Sequence, residues 1–135
     1  MSERVVAATR AWLGTPYRHQ ASVLGAGCDC LGLVRGVWRA VCGEEPWVVP
    51  PYRAGWRGDD GLAEAAARFL VPADGLAAEC VVLFRLGRTL APRHCGILVA
   101  EDRFVHAQER IGVVEADLTE GWRRRVAGVF AFPGL

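Results

Sequence analysis

No lysine occurs in this chain of 135 residues; its sixteen basic side chains are all arginine. An excess of one charge is also missing, since fifteen acidic residues leave a formal net charge of only +1. So even a balance excludes the general positive field that a nucleic-acid-binding protein presents. The arginine-only usage reads as genome composition, although arginine also suits carboxylate recognition. Apolar runs long enough to span a bilayer are absent, so no membrane insertion is expected. The opening MSERVVAATRAW is broken by charges where a signal peptide would be continuously apolar. The chain is therefore expected to be made in the cytoplasm without a signal peptide. Paired Cys-x-x-Cys and His-x-x-x-His spacings are missing too, and Cys28-x-Cys30 is closer than a zinc knuckle. Neither a metal nor a cofactor is expected. Five cysteines, an odd number in a reducing compartment, exclude a disulfide framework.

What is there is a globular composition, 52% apolar, on a length that suits one domain over residues 1–135. Ser2 can cap a helix over about 3–13, with Val5, Thr9, Trp12 and Leu13 at helical spacing and Gly14 and Pro16 to end it. A glycine-containing loop follows over 14–28. A second helix starts near Asp29; Leu31, Val34, Trp38 and Val41 form its stripe, Leu33 and Val37 widen it, and Gly43 closes it. Residues 44–60, with Pro46, Pro50 and Pro51 among Trp47, Tyr52 and Trp56, read as an ordered loop covering the core. Asp59 or Asp60 caps a third helix with Leu62, Ala65, Ala66, Phe69 and Leu70 inward. Beyond Pro72 the runs at 80–86, 95–100, 103–107, 112–116 and 126–132 are rich in Val, Ile and Phe, and the short turns between several of them fit an antiparallel meander. Helices first and strands after give the α+β class. The run Arg123-Arg124-Arg125 reads as a solvated turn or strand end.

The stretch GAGCDCLGLVRG, residues 25–36, carries the chemistry. A thiol at a helix start faces unpaired amides and the positive end of the helix dipole, which stabilise thiolate. The glycine-rich approach supplies amide donors for an oxyanion. Position alone leaves Cys30 either a nucleophile or a small core residue. Asp29 reads equally as a helix cap. A nucleophile needs a base and an orienter, and two of the three histidines, His94 and His106, lie on one hairpin, HCGILVAEDRFVHA. A three-residue turn at Glu101-Asp102-Arg103 puts both on one face and pairs residue 98 with 106. That simple ladder leaves His94 about 13 Å from the partner of His106. His19 sits in a loop and is the least informative. Cys80 and Cys95 read as core, Cys42 lies off the main stripe, and Cys28 has no assigned role.

Together, GTPYRHQ and GCDCLGLVRGVW followed by HCGILVAEDRFVHA resemble the NlpC family of papain-like cell-wall cysteine peptidases. The resemblance implies a papain-like fold in which N-terminal helices pack on a C-terminal antiparallel sheet. It implies Cys30 as nucleophile, His94 as general base and His106 as the orienter of His94, with Gln108 as a spare for that role. It also implies Tyr17 beside the nucleophile and Asp29 as the partner of a substrate amine. The substrate implied is a peptidoglycan stem peptide, cut between D-γ-glutamate and the diamino acid. One departure stands out: the family's serine after the nucleophile is Leu31 here. Asp-Cys-Leu-Gly-Leu-Val resembles the branch found in phage and gene-transfer-agent tails. That branch implies assembly into a phage-like tail, tail baseplate or hub proteins as partners, and action at the recipient's cell wall. Three rivals remain: a tail-docking protein that keeps the fold, a related cysteine amidase or acyltransferase, and a metal site built from Cys28, Cys30, His94 and Cys95.

Overall fold

The computed structural model describes residues 3–46, 61–85 and 91–134. Helix α1 (Arg4–Arg10) is shorter than expected and continues as turns to Gly14, whose φ of +87° ends it. Its Ser2 cap lies outside the described residues. Instead, Glu79 reaches across, and its carboxylate accepts a 3.0 Å hydrogen bond from the Val5 amide at the helix start. Val5, Thr9 and Trp12 are buried as expected, whereas Leu13 is exposed.

The expected loop over 14–28 contains a small hairpin, β1 (Ser22–Val23) with β2 (Gly27–Cys28). It leads into α2 (Cys30–Val41), which buries Leu31, Leu33, Val34, Val37 and Val41 and stops at Gly43, φ +93°. Two glycines in α2 are places where other chain segments press against the helix. A Cβ at Gly32 would meet the Ala21 carbonyl oxygen at 1.9 Å, and one at Gly36 would meet the Trp12 ring at 2.0 Å. Trp47, Tyr52, Trp56 and the Asp59 and Asp60 caps lie outside the described residues. Helix α3 (Gly61–Phe69) turns Leu62, Ala66 and the following Leu70 inward.

The strands are β3 (Val71–Pro72), β4 (Cys80–Phe84), β5 (His94–Ala100), β6 (Arg103–Gln108), β7 (Gly112–Asp117) and β8 (Val126–Ala131), with the short α4 (Glu120–Arg123) before the last. They form one antiparallel sheet in the order β3-β8-β4-β5-β6-β7. The meander therefore holds from β4 to β7 only. Strand β8 returns to the far side of β4, and α4 carries the chain back. The class is α+β, with the papain-like arrangement of helices against an antiparallel sheet.

Pleating divides the sheet's side chains between two clusters. Val81, Leu83, Cys95, Ile97, Val99, Val105 and Ala107 join the buried residues of α1, α2 and α3. Val82, Phe84, Leu98 and Phe104 join Leu118 and the partly buried Trp122 of α4. Arg123, Arg124 and Arg125 are exposed, as expected of a solvated turn.

Candidate active site

Asp29 is the N-cap of α2. Its Oδ1 accepts from the Gly32 amide at 2.7 Å and its Oδ2 from the Gln20 amide at 2.7 Å. Gln20 adopts φ +64°, which turns its amide toward that carboxylate. His19 approaches the same oxygen at 3.9 Å. Asp29 is buried and ties the 18–22 loop to the first turn of the helix. Ser22 reinforces the tie by donating to the Gly32 carbonyl at 2.6 Å. This clamp fixes Cys30 at the first helical position, where the backbone amides have no partner within the helix.

Cys30 is partly exposed. Its thiol is held well below its ordinary pKa, first by a side-chain hydrogen bond from Cys95. The hydrogen bond and charge of His94 act in the same direction, against the opposing effects of burial and of Asp29. Tyr17 bridges to Cys28 in the neighbouring backbone. Its hydroxyl is pushed up by burial and then by the charges of Cys30 and Asp29.

On the other side of the site, His94 opens β5 and His106 lies near the end of β6. Their rings meet at His94 Nε2 and His106 Nδ1, 2.8 Å apart. The 13 Å gap foreseen from the sequence does not arise, because the hairpin register is tighter. Leu98 pairs with Phe104, not with His106, and a bulge between Leu98 and Ala100 leaves a two-residue turn at Glu101-Asp102. Carrying the Leu98–Phe104 register on sets Gly96 opposite His106, so that His94 is its diagonal neighbour. A Cβ at Gly96 would crowd Phe104 at 3.0 Å and the His106 Cβ at 3.3 Å, so the ring pair needs glycine there. Gln108 is exposed and pairs with Gly112, so the partner held by His94 is His106.

The histidine pair sits in an aromatic enclosure. Phe84 stacks on His94 at 6.0 Å between centroids, Phe104 lies 4.5 Å from His106, and Trp122 meets His94 at 6.0 Å and His106 at 5.4 Å. Burial, and then the neighbouring His94, pushes His106 down to about 4. His106 is therefore neutral near pH 7. When His94 is an imidazolium, its Nε2–H donates to His106 Nδ1, and its Nδ1 is the ring nitrogen left for the Cys30 thiol.

Trp122, Phe84 and Phe104 were not visible as site residues in the sequence, since α4 comes near His94 only through the return of β8 to β4. Cys95 was assigned to the core and is buried there, yet its Sγ also lies 3.3 Å from the Cys30 carbonyl oxygen. Its one sequence signal is its place directly after His94. Leu31, which stands where the family has serine, is buried in the main core. All five cysteines are free thiols, and among the described residues no three of His, Cys, Asp and Glu are grouped to hold a metal ion.

The NlpC/P60 family profile matches residues 14–130, which takes in Tyr17, Cys30, His94 and His106. The chain belongs to the NlpC/P60 family. That family is one of cysteine peptidases. Among solved structures, the NlpC/p60 domain of the peptidoglycan hydrolase SagA superposes with a TM-score of 0.62 at 22% identity, covering 98% of each chain. An NlpC/P60 family protein from Bacillus cereus superposes with a TM-score of 0.66 at 19% identity over 96% of this chain and 39% of its own. A lipoprotein-like NLP/P60 protein from Staphylococcus aureus gives 0.65 at 18% identity over 97% of this chain and 42% of its own. The chain thus spans about two fifths of the length of the latter two. At such identities the likeness concerns the fold. No curated protein matches the chain significantly.

Proposed function

We propose that this NlpC/P60 domain is a cysteine peptidase that hydrolyses amide bonds of peptidoglycan stem peptides, with the bond between D-γ-glutamate and the diamino acid as its target. The observation that carries the reading is the contact of His94 Nε2 with His106 Nδ1 at 2.8 Å, with His94 among the groups that hold the Cys30 thiol low. The peptidoglycan hydrolase named among the superposed structures supports the substrate class.

In this mechanism the Cys30 thiolate attacks the amide carbonyl carbon, and the carbonyl electron pair moves onto oxygen. The amide of Cys30, at the first position of α2, donates to that oxyanion. Collapse expels the amine, which takes its proton from His94 Nδ1. Water, deprotonated by His94, then attacks the thioester and releases the acid and the Cys30 thiolate. His106 accepts from His94 Nε2 throughout and so holds the imidazolium in orientation. Asp29, whose two oxygens accept from Gly32 and Gln20, supplies the negative charge that attracts a substrate ammonium to the helix start, and Tyr17 borders the pocket. Because Leu31 points into the core, the missing serine hydroxyl is no loss from a substrate-contacting position.

The Asp-Cys-Leu-Gly-Leu-Val motif supports a finer placement: a component of a phage or gene-transfer-agent tail, docked on baseplate or hub proteins, that opens the wall locally as DNA is delivered. Zymography on purified sacculi, with mass spectrometry of the released fragments, tests the chemistry. Fragments ending at D-γ-glutamate in the wild type and none with Cys30→Ala are expected. Equal activity in the two proteins would overturn the peptidase and favour a docking role. Release at another amide would favour the related amidase or acyltransferase.

A further inference from the structure

The mechanism above leaves one buried nucleophilic group beside the reactive sulfur unused. Cys95 is 1% exposed, on the face of β5 that packs against α2. Its Sγ donates to the Cys30 carbonyl oxygen at 3.3 Å, and Cys95 is the first of the groups that hold the Cys30 thiol low. Cys30 itself is partly exposed. Residue Cys30 thus lies at the edge of the site, and Cys95 lies behind it in the core. We propose that Cys95 is a resolving thiol, which forms a reversible disulfide with Cys30 when Cys30 is oxidised, so that the site is shut off and its sulfur is protected. The inference rests on Cys30 being the reactive thiol of the site just described.

The chemistry runs in a fixed order because Cys30 carries the thiolate and Cys95 is the more deeply buried of the two. A hydroperoxide transfers one oxygen to the Cys30 thiolate, which gives the sulfenic acid and the corresponding alcohol or water. Cys95 sulfur then attacks the Cys30 sulfur. The S–O bond breaks, and the hydroxyl leaves with the Cys95 proton as water. A dithiol reverses the step by exchange through a mixed disulfide and returns both thiols. Without Cys95, the sulfenic acid loses the thiol that adjoins it across the helix–sheet contact and passes to sulfinic and sulfonic acids, which a dithiol does not reduce. The other described cysteines are placed differently. Cys28 faces the core, and Cys42 contacts the Pro133 carbonyl at 3.8 Å. Cys80 belongs to the cluster on the opposite face of the sheet.

The test treats the full chain with a small excess of hydrogen peroxide under native conditions. Free thiols are then blocked with N-ethylmaleimide, and the protein is cleaved at arginine. The expected result is an intact mass lower by two hydrogens, two of the five thiols protected from the blocking reagent, and the peptides 19–35 and 94–103 joined through Cys30 and Cys95. Dithiothreitol should separate them. In Cys95→Val the same treatment should leave Cys30 as sulfinic or sulfonic acid, with no recovery by dithiothreitol. Sulfinic acid at Cys30 of the wild type with no cross-link, or a Cys28–Cys30 bond in its place, would overturn the proposal. The cross-link in the wild type needs no variant, so misfolding of Cys95→Val does not remove the test. The readout is a mass and not peptidoglycan hydrolysis. A cross-link in a protein inactive on sacculi would keep this inference and sink the hydrolase reading.

Discussion

The end of β2 and the start of α2 are two residues apart and treat a thiol in opposite ways. At Cys28 the side chain is fully buried in the main core, and burial, then the charges of Asp29 and Cys30, pushes it up to about 12. At Cys30 the thiol meets the helix start, Cys95 and His94, and is held well below its ordinary value. Sequence separation is minimal and composition is the same, so the difference comes from where the backbone aims each sulfur. A thiolate forms where donors and positive charge converge on it, and burial among apolar groups alone suppresses it. The largest expected effect follows. Cys30→Ala should reduce hydrolysis to background while Cys28→Ala retains most of it, measured as kcat on a synthetic stem peptide. Cys28→Ala should instead lower stability by about 1–2 kcal/mol in urea titration, as a small cavity in the core. Loss of activity in both variants with unchanged folding would break the contrast between the two positions.

The second test sharpens the same contrast from the imidazole side. If His94 reaches Cys30 only because His106 orients it, His106→Ala should lower kcat on the order of 10²–10⁴-fold and leave KM nearly unchanged. His106→Asn, which keeps a hydrogen-bonding group on the ring of His94, should recover part of the loss. Equal losses in the two variants would mean that His106 serves packing among Phe84, Phe104 and Trp122 and not orientation.

A third test asks whether the clamp at the helix start sets the Cys30 position. Gly32→Ala places a methyl group 1.9 Å from the Ala21 carbonyl oxygen, which is backbone and cannot rotate away. The cost should be about 3 kcal/mol of stability, at the upper end for overpacking. Activity should fall even where the variant remains folded, because the 18–22 loop, the Asp29 cap and Cys30 move together. A stable, fully active Gly32→Ala would show that the clamp is not what fixes the sulfur.

How much of this was legible in the sequence depended on how local each signal was. The start of α2 could be read closely because an Asp cap, an apolar stripe and a closing glycine lie within fifteen residues. His94 and His106 could be identified as a pair because one hairpin carries both. Their spacing could not, since register turns on the bulge between Leu98 and Ala100, and a one-step error in a turn slides every partner. The partner of strand β8 was not legible for a related reason: nothing local says that a strand after α4 pairs with β4 instead of β7. Trp122 was missed as a site neighbour, and Cys95 was set beside Cys30 only in the rival metal site, because both arrive by long-range packing. Neither has a local pattern to betray its target.

The smallest expected effect concerns the dry side of the comparison. His106 has a folded value of about 4, below its ordinary 6.5, because the aromatic enclosure disfavours its charged form. Between those two values the unfolded chain binds more protons than the folded one, so stability rises with pH across that window. Equivalently, His106 costs nothing above about pH 6.5 and penalises the folded chain increasingly as pH falls toward 4. The full size of this penalty is about 3 kcal/mol for a ring this buried. Urea titrations from pH 7 to 4 should show this slope in the wild type and a shallower one in His106→Phe, which has no proton to gain. Trp122→Ala should also flatten it, because opening one wall hydrates His106 and lets its pKa return upward. The wall, more than the ring itself, then sets how far into acid His94 keeps a neutral partner. An equal slope in wild type and His106→Phe would assign the acid sensitivity to other groups and leave the enclosure without the role argued for it.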